Sequence, residues 1–264
     1  MEPKERPVAE PTLANDVPRK PKLCKVFVKK FQPQKDPRAV QHWEREVEAL
    51  RHVGTHANIV QITHSDAVSL TITLRWAARH SLDHFIKSDT RQCTLTRDDA
   101  RLLWKQMSSA LAYTHSKSII HDDVKPHNIV WDEKLKHAVL IDFGAALVNP
   151  ESLPEGGWTP SGTPSYAPPE FFEKKKCQAG DVWALGVTML FAFGDIPLPD
   201  GSWILPRVFE NEDVKDEMMQ WLLRIESLRK SSDHAGDRSL LAPMLHWSPE
   251  QRISSDDLVR HLEA

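Results

Sequence analysis

Glycine is scarce in this chain, cysteine scarcer still, and no long apolar run occurs anywhere. Of 264 residues only 10 are glycine, and none precedes Gly54. A glycine-rich turn that could cradle phosphate is therefore excluded ahead of that point. The three cysteines, Cys24, Cys93 and Cys177, lie far apart without a CxxC pair. That spacing argues against a disulfide framework and against a zinc knuckle. No apolar stretch approaches the roughly 18 residues that cross a bilayer, so no membrane partner is expected. Positive charge is not in excess either: 34 Lys+Arg stand against 37 Asp+Glu, a net −3. No nucleic-acid partner is expected from that balance. Met1 to Lys22 is polar and proline-rich, and the first apolar cluster, Val26 to Phe31, contains two lysines. Neither has the apolar centre of a secretory signal. The expectation is an intracellular protein, cytoplasmic or nuclear, long enough for one large domain or two small ones.

Residues 1–22 carry Pro3, Pro7, Pro11, Pro18 and Pro21. Such a stretch cannot run a paired ladder, so a disordered proline-rich tail is expected there. From Lys25 to Phe31 the chain alternates and is rich in strand formers. Asp36-Pro37 reads as a helix start, and Val40, Trp43, Val47 and Leu50 follow at helical spacing. Asn58 to Ile62 and Ser69 to Leu74 read as short strands. Thr96 to Asp99 has the form of a capping box before a long helix with Leu103, Met107, Ala110 and Leu111 on its inner face. Helices are expected again over Val182 to Phe193, apolar nearly all round, Val214 to Leu228, and Asp256 to Leu262. Strands first and helices after indicate an α+β fold, with a small sheet-containing lobe and a larger helical one.

The densest chemical signal is His121-Asp122-Asp123-Val124-Lys125-Pro126-His127-Asn128, with Asp142-Phe143-Gly144 fourteen residues beyond Asn128. Apolar runs flank both stretches and would hold two acidic loops on a rigid base. Phosphoryl transfer needs what such loops supply. One carboxylate orients the incoming hydroxyl, a second carboxylate and an amide oxygen coordinate Mg²⁺, and a lysine neutralises developing charge.

These loops resemble the protein-kinase family, whose catalytic loop reads HRDxxxxN and whose metal loop reads DFG. Val26-Phe27-Val28-Lys29 is similar to the family's VAIK strand, and Glu46 to the helix glutamate that holds its lysine. Gly162 to Glu170 resembles the stretch ending in APE, and Asp181 to Gly186 the buried helix that anchors the catalytic loop. Arg252 resembles the arginine that pairs with Glu170. The motifs fall in the family's order across about residues 23–264, and Lys125 with Thr163 resembles the serine/threonine branch. Small-molecule phosphotransferases share the two acidic loops but generally lack the remaining set.

The resemblance implies a two-lobed domain over 23–264, with a small lobe at about 23–75 and a large one at about 78–264. It implies ATP and Mg²⁺ as cofactors and a protein with a serine or threonine acceptor as partner. Asp123 would be the base, Lys125 would neutralise the γ-phosphate, and Asn128 with Asp142 would hold metal. Lys29, set by Glu46, would place the nucleotide, and Trp76-Ala77 would be the hinge that meets adenine. Glu170 and Arg252 read as a structural pair, His121 as a core histidine under Phe143, and Lys174 to Lys176 as a solvated face.

Three departures stand out. The glycine-rich hood over the phosphates has no counterpart, so the small lobe is expected to be truncated. Phe27 replaces a small alanine against adenine and either stacks on the base or fills its pocket. Asp122 replaces the arginine that grips an activating phosphate, so activity would not wait on phosphorylation of the loop hydroxyls Ser152, Thr159, Ser161, Thr163 and Ser165. Those hydroxyls read most simply as solvated turns. A pseudokinase, a scaffold with weak or no catalysis, is the competing reading.

Overall fold

The sequence alternation ahead of Phe31 becomes strand β1 (Val26–Lys30), the edge of a three-stranded antiparallel sheet. Its neighbour is β3 (Thr71–Arg75), which also pairs β2 (Ile62–Asp66), giving the order β1-β3-β2. Register sets Phe27 opposite Leu74 and Lys29 opposite Ile72. This computed structural model describes residues 25–152, 158–201, 203–231 and 238–263. The expected tail over 1–22 lies outside the described residues.

Helix α1 (Ala39–Val53) packs on that sheet through Val47 and Leu50, both buried. It begins later than the sequence suggested. Asp36 turns the chain locally, accepting the Arg38 N–H at 3.0 Å and pairing with His42 at 2.7 Å, so Pro37 stays in the turn. Val40 belongs to the solvent side, 47% exposed, while Trp43 reaches over to donate to the Thr71 carbonyl.

Two strand boundaries move, each for its own physical reason. Asn58 to Val60 was expected to join the small sheet, but its backbone partners lie elsewhere. Leu140 donates to the Asn58 carbonyl at 2.8 Å, and Val60 donates to Leu140 at 2.9 Å. The stretch thus fastens the small lobe to the large one, and β2 starts only at Ile62. At the other boundary Leu70 takes a left-handed φ of 48°, so Ser69 and Leu70 belong to the hairpin turn and β3 begins at Thr71.

The larger lobe is helical. Helix α2 (Arg97–Ser116) starts where expected, with Thr96 accepting the Asp99 N–H at 3.1 Å. The Asp99 carboxylate does not return to the cap; it pairs with Lys136 at 2.8 Å. Leu103, Met107, Ala110 and Leu111 are all buried. Helix α3 (Gln178–Ala192) is buried continuously from Asp181 to Ala192, as its all-round apolar sequence demands. Gly186 permits that packing, because a Cβ there would lie 2.8 Å from the Leu245 side chain. Around them stand α4 (Glu212–Ser231), α5 (Arg238–Met244) and α6 (Ser255–Glu263); the sequence reading had no element at α5. Among the described residues no helix is long and apolar enough to cross a membrane.

Two short strand pairs carry the acidic loops. Strands β4 (Ile119–Ile120) and β7 (Leu147–Val148) pair, as do β5 (Ile129–Asp132) and β6 (His137–Leu140), all antiparallel. The first loop joins β4 to β5 and the second joins β6 to β7.

Candidate active site

Strand register brings the two loops together. Ile129 pairs with Leu140, and Ile141 donates its N–H to the Asn128 carbonyl at 2.9 Å. Asn128 and Asp142 thereby line one cleft of about 430 Å³ between the lobes. Lys29, Glu46, Phe27, Trp76 and Ala77 line the same cleft.

Asp123 is the best-held carboxylate of the first loop. The Asn128 amide nitrogen donates to its carbonyl at 2.8 Å and to its Oδ2 at 2.9 Å. Lys125 Nζ lies 2.8 Å from that same Oδ2, and Thr163 donates to Oδ1 at 2.7 Å. The loop itself hangs from Asp181 on α3, whose carboxylate accepts the N–H of His121 at 2.8 Å and of Asp122 at 2.9 Å. His121 is fully buried, edge-on to Phe143 at 4.7 Å between ring centres, which is the supporting role its sequence suggested.

On the opposite wall Lys29 is shared by two carboxylates, Glu46 at 2.7 Å and Asp142 at 2.9 Å. Glu44 and Glu48 face solvent, so Glu46 is the one residue of the three turned inward. Burial alone would lower the Lys29 ammonium, but the Glu46 and Asp142 charges outweigh it and raise it. One cation cannot neutralise two anions. Glu46 is pushed up by burial, against the pull of Lys29 and with Asp142 adding to the rise. Burial would also raise Asp142, yet Lys29 and the Gly144 N–H outweigh it and hold that carboxyl low. Gly144 leaves the room this needs: a Cβ would sit 3.1 Å from Asp142 Oδ1 and 3.3 Å from Glu46 Oε2.

The donor set suits a hard divalent cation. Asn128 spends its amide nitrogen on Asp123, and its Oδ1 takes no hydrogen bond among the described residues. Asp142 is bound to Lys29 and to the Gly144 N–H through Oδ1, leaving Oδ2 without such a partner, and its side chain is 44% exposed. One carboxylate and one amide oxygen facing a cleft match the sparse protein ligation that Mg²⁺ takes beside phosphates. At the back of the cleft, the N–H and C=O of Ala77 make no hydrogen bond among the described residues, while Trp76 is tied to the Lys25 carbonyl at 3.0 Å.

Two sequence readings are corrected here. Lys176 does not belong to a solvated face: its side chain is 10% exposed and sits 2.6 Å from Asp122. Several loop hydroxyls are engaged rather than solvated. Ser161 donates to Asp122, Thr163 to Asp123, and Ser165 accepts the Gly201 N–H at 2.6 Å. Ser152 has its side chain outside the described residues. Glu170 and Arg252, by contrast, pair as expected at 2.7 Å, both fully buried.

The chain is similar to the serine/threonine-protein kinase PLK2 of Rattus norvegicus, 31% identical over 90% of this chain and 33% of that protein. It is also similar to the serine/threonine-protein kinase ppk34 of Schizosaccharomyces pombe, 32% identical over 87% of this chain and 62% of that protein. To the maternal embryonic leucine zipper kinase of Xenopus tropicalis it is 29% identical over 82% of this chain. It spans about a third of the length of the first and third of these relatives. With two acidic loops gathered on one cleft and residues 16–262 matching the protein kinase domain, the chain belongs to the protein kinase family.

Proposed function

We propose that this chain is an active kinase that moves the γ-phosphate of ATP, with Mg²⁺, onto serine or threonine of a protein. The observation that carries the proposal is the grouping around Asp123. Its carboxylate is fixed by Asn128 and flanked by Lys125, with a threonine hydroxyl already resting on Oδ1. A substrate hydroxyl reaching that carboxylate beside Thr163 would donate to Asp123 and be aimed at phosphorus. Lys125 would offset charge on the transferred group. Lys29, held by Glu46, would meet the α/β-phosphates, and the free backbone of Ala77 beside Trp76 would meet the base. Asn128 Oδ1 and Asp142 Oδ2 would hold the metal. Mg²⁺, when bound, would offset the negative charge of the phosphates and of the Asp142 side of the cleft. In this reading the small lobe spans about 23–75, and Trp76-Ala77 leads into the large lobe from about 78.

A second reading, a pseudokinase scaffold, is favoured by Phe27 in the cleft wall and by the lack of any glycine ahead of Gly54. One assay separates them. The purified chain is incubated with labelled ATP, Mg²⁺ and a generic basic protein, beside an Asp123→Asn variant. Transfer to serine or threonine that disappears in the variant is expected. If neither protein transfers label and nucleotide gives no Mg²⁺-dependent thermal shift, the kinase reading fails.

A further inference from the structure

Asp122 and Asp123 follow one another in the first loop, and each is held by one lysine and one hydroxyl. For Asp123 these are Lys125 and Thr163. For Asp122 they are Lys176, at 2.6 Å, and Ser161, and Lys176 also reaches the Ser161 hydroxyl. Ser161 and Thr163 sit two apart on one segment. Between them Gly162, at a φ of 90°, lies so close on the loop that a Cβ would stand 2.8 Å from the Asp122 carbonyl. The first set of contacts therefore lies directly beside the second.

The charges of this outer set are the reverse of what the family resemblance suggests. There a cation in the loop waits for an anionic phosphate on the segment. Here the loop supplies the anion and the segment supplies the cation, so the attraction needs no modification. Burial decides whether it matters. Exposed pairs are worth little, but the Asp122 and Lys176 side chains are 13% and 10% exposed. Removing the lysine would strand a mostly buried carboxylate.

We propose that Lys176 is a positioning residue for this site: its ion pair with Asp122 pins Ser161 and Gly162 to the loop and so seats Thr163 on Asp123. The kinetic half of this inference rests on the kinase reading; the ordering of the segment does not. Lys176 itself touches none of the groups assigned to the reaction, and acts through Asp122 and Ser161.

The test compares the native chain with Lys176→Met, Lys176→Arg and the charge-free double variant Asp122→Asn/Lys176→Met, which strands no charge if the single variant folds poorly. Amide exchange over residues 161–166 is read against α2 as internal reference, and steady-state kinetics are taken with ATP and protein substrate varied separately. In the methionine and double variants, exchange over 161–166 should quicken about tenfold while α2 stays unchanged. The kcat should fall about tenfold, with KM for ATP within about twofold, because the nucleotide wall is untouched. Lys176→Arg should restore both.

Native protection of 161–166 in both lysine-free variants overturns the proposal. So does loosening of α2 together with a rise in KM for ATP, which would mark general destabilisation. If the native chain transfers no phosphate yet the segment loosens as expected, the kinase reading falls and the clamp stands. If the native chain transfers phosphate and Asp123→Asn abolishes it, while the lysine variants keep both rate and protection, the clamp alone falls.

Discussion

At the residue scale the cleft is decided by where single side chains stop. Phe27 and Lys29 share one face of β1, and Phe27 lies opposite Leu74 with half its surface exposed. The ring forms part of the cleft wall, and the space of about 430 Å³ remains open beside it. A phenyl so placed either stacks on a purine or fills its pocket, and the kinase reading takes the first. Such contacts are worth about 0.5–1.5 kcal/mol. Phe27→Ala is therefore expected to weaken Mg²⁺-ATP binding about 2- to 12-fold, measured by titration calorimetry. Tighter binding in the variant would mean the ring obstructs the base instead.

Among the elements, α3 does the most to connect distant parts. Near its start the Arg252 guanidinium reaches the Ala179 carbonyl at 2.7 Å and holds Glu170 through both nitrogens, at 2.7 and 2.9 Å. Both side chains are essentially inaccessible, and the guanidinium also lies over the Trp183 ring. Truncating the arginine strands a buried glutamate, so Arg252→Ala should cost about 3–5 kcal/mol in urea unfolding. A loss below about 1 kcal/mol would show that water or another cation reaches Glu170.

That pair was legible in the sequence because both partners sit in recognisable text, as do Asp123, Asn128 and Asp142. The α2 cap was legible too, since Thr96 and Asp99 are three apart and act locally. What escaped is non-local. Asn58 to Val60 has strand composition, but its hydrogen bonds go to β6 across the lobes, and no local pattern reports that. Lys176 sits in a lysine run that reads as solvated, and its partner is 54 residues away. A charge at position 122 without an adjacent mate was the one available hint that a distant cation was needed.

For the whole molecule, one carboxylate ties the first acidic loop to the helical lobe. Asp181 on α3, 2% exposed, receives the His121 and Asp122 amides and contacts His115 of α2 at 3.0 Å. His115 in turn meets Ser255 of α6 at 2.8 Å. Burial alone would raise the Asp181 carboxyl, but the hydrogen bond and charge of His115, the His121 charge and the His121 amide outweigh it. The carboxyl is held below its ordinary value of 3.8. A carboxyl depressed by folding adds stability above its unfolded value, and that stability drains as pH falls through the folded one. Asp181→Asn replaces an acceptor with an amide that cannot receive both backbone N–H groups, so a penalty of about 2–4 kcal/mol is expected at neutral pH. The window for its decline opens around pH 3.8, where the carboxyl of the unfolded chain takes up a proton that the folded one still resists, and closes as the folded one titrates in its turn. Urea unfolding of both proteins at neutral pH and below that value should show the gap narrowing in acid. A gap that stays constant would mean Asp181 acts by shape rather than by charge, and that the loop is anchored by packing of His121 on Phe143 instead.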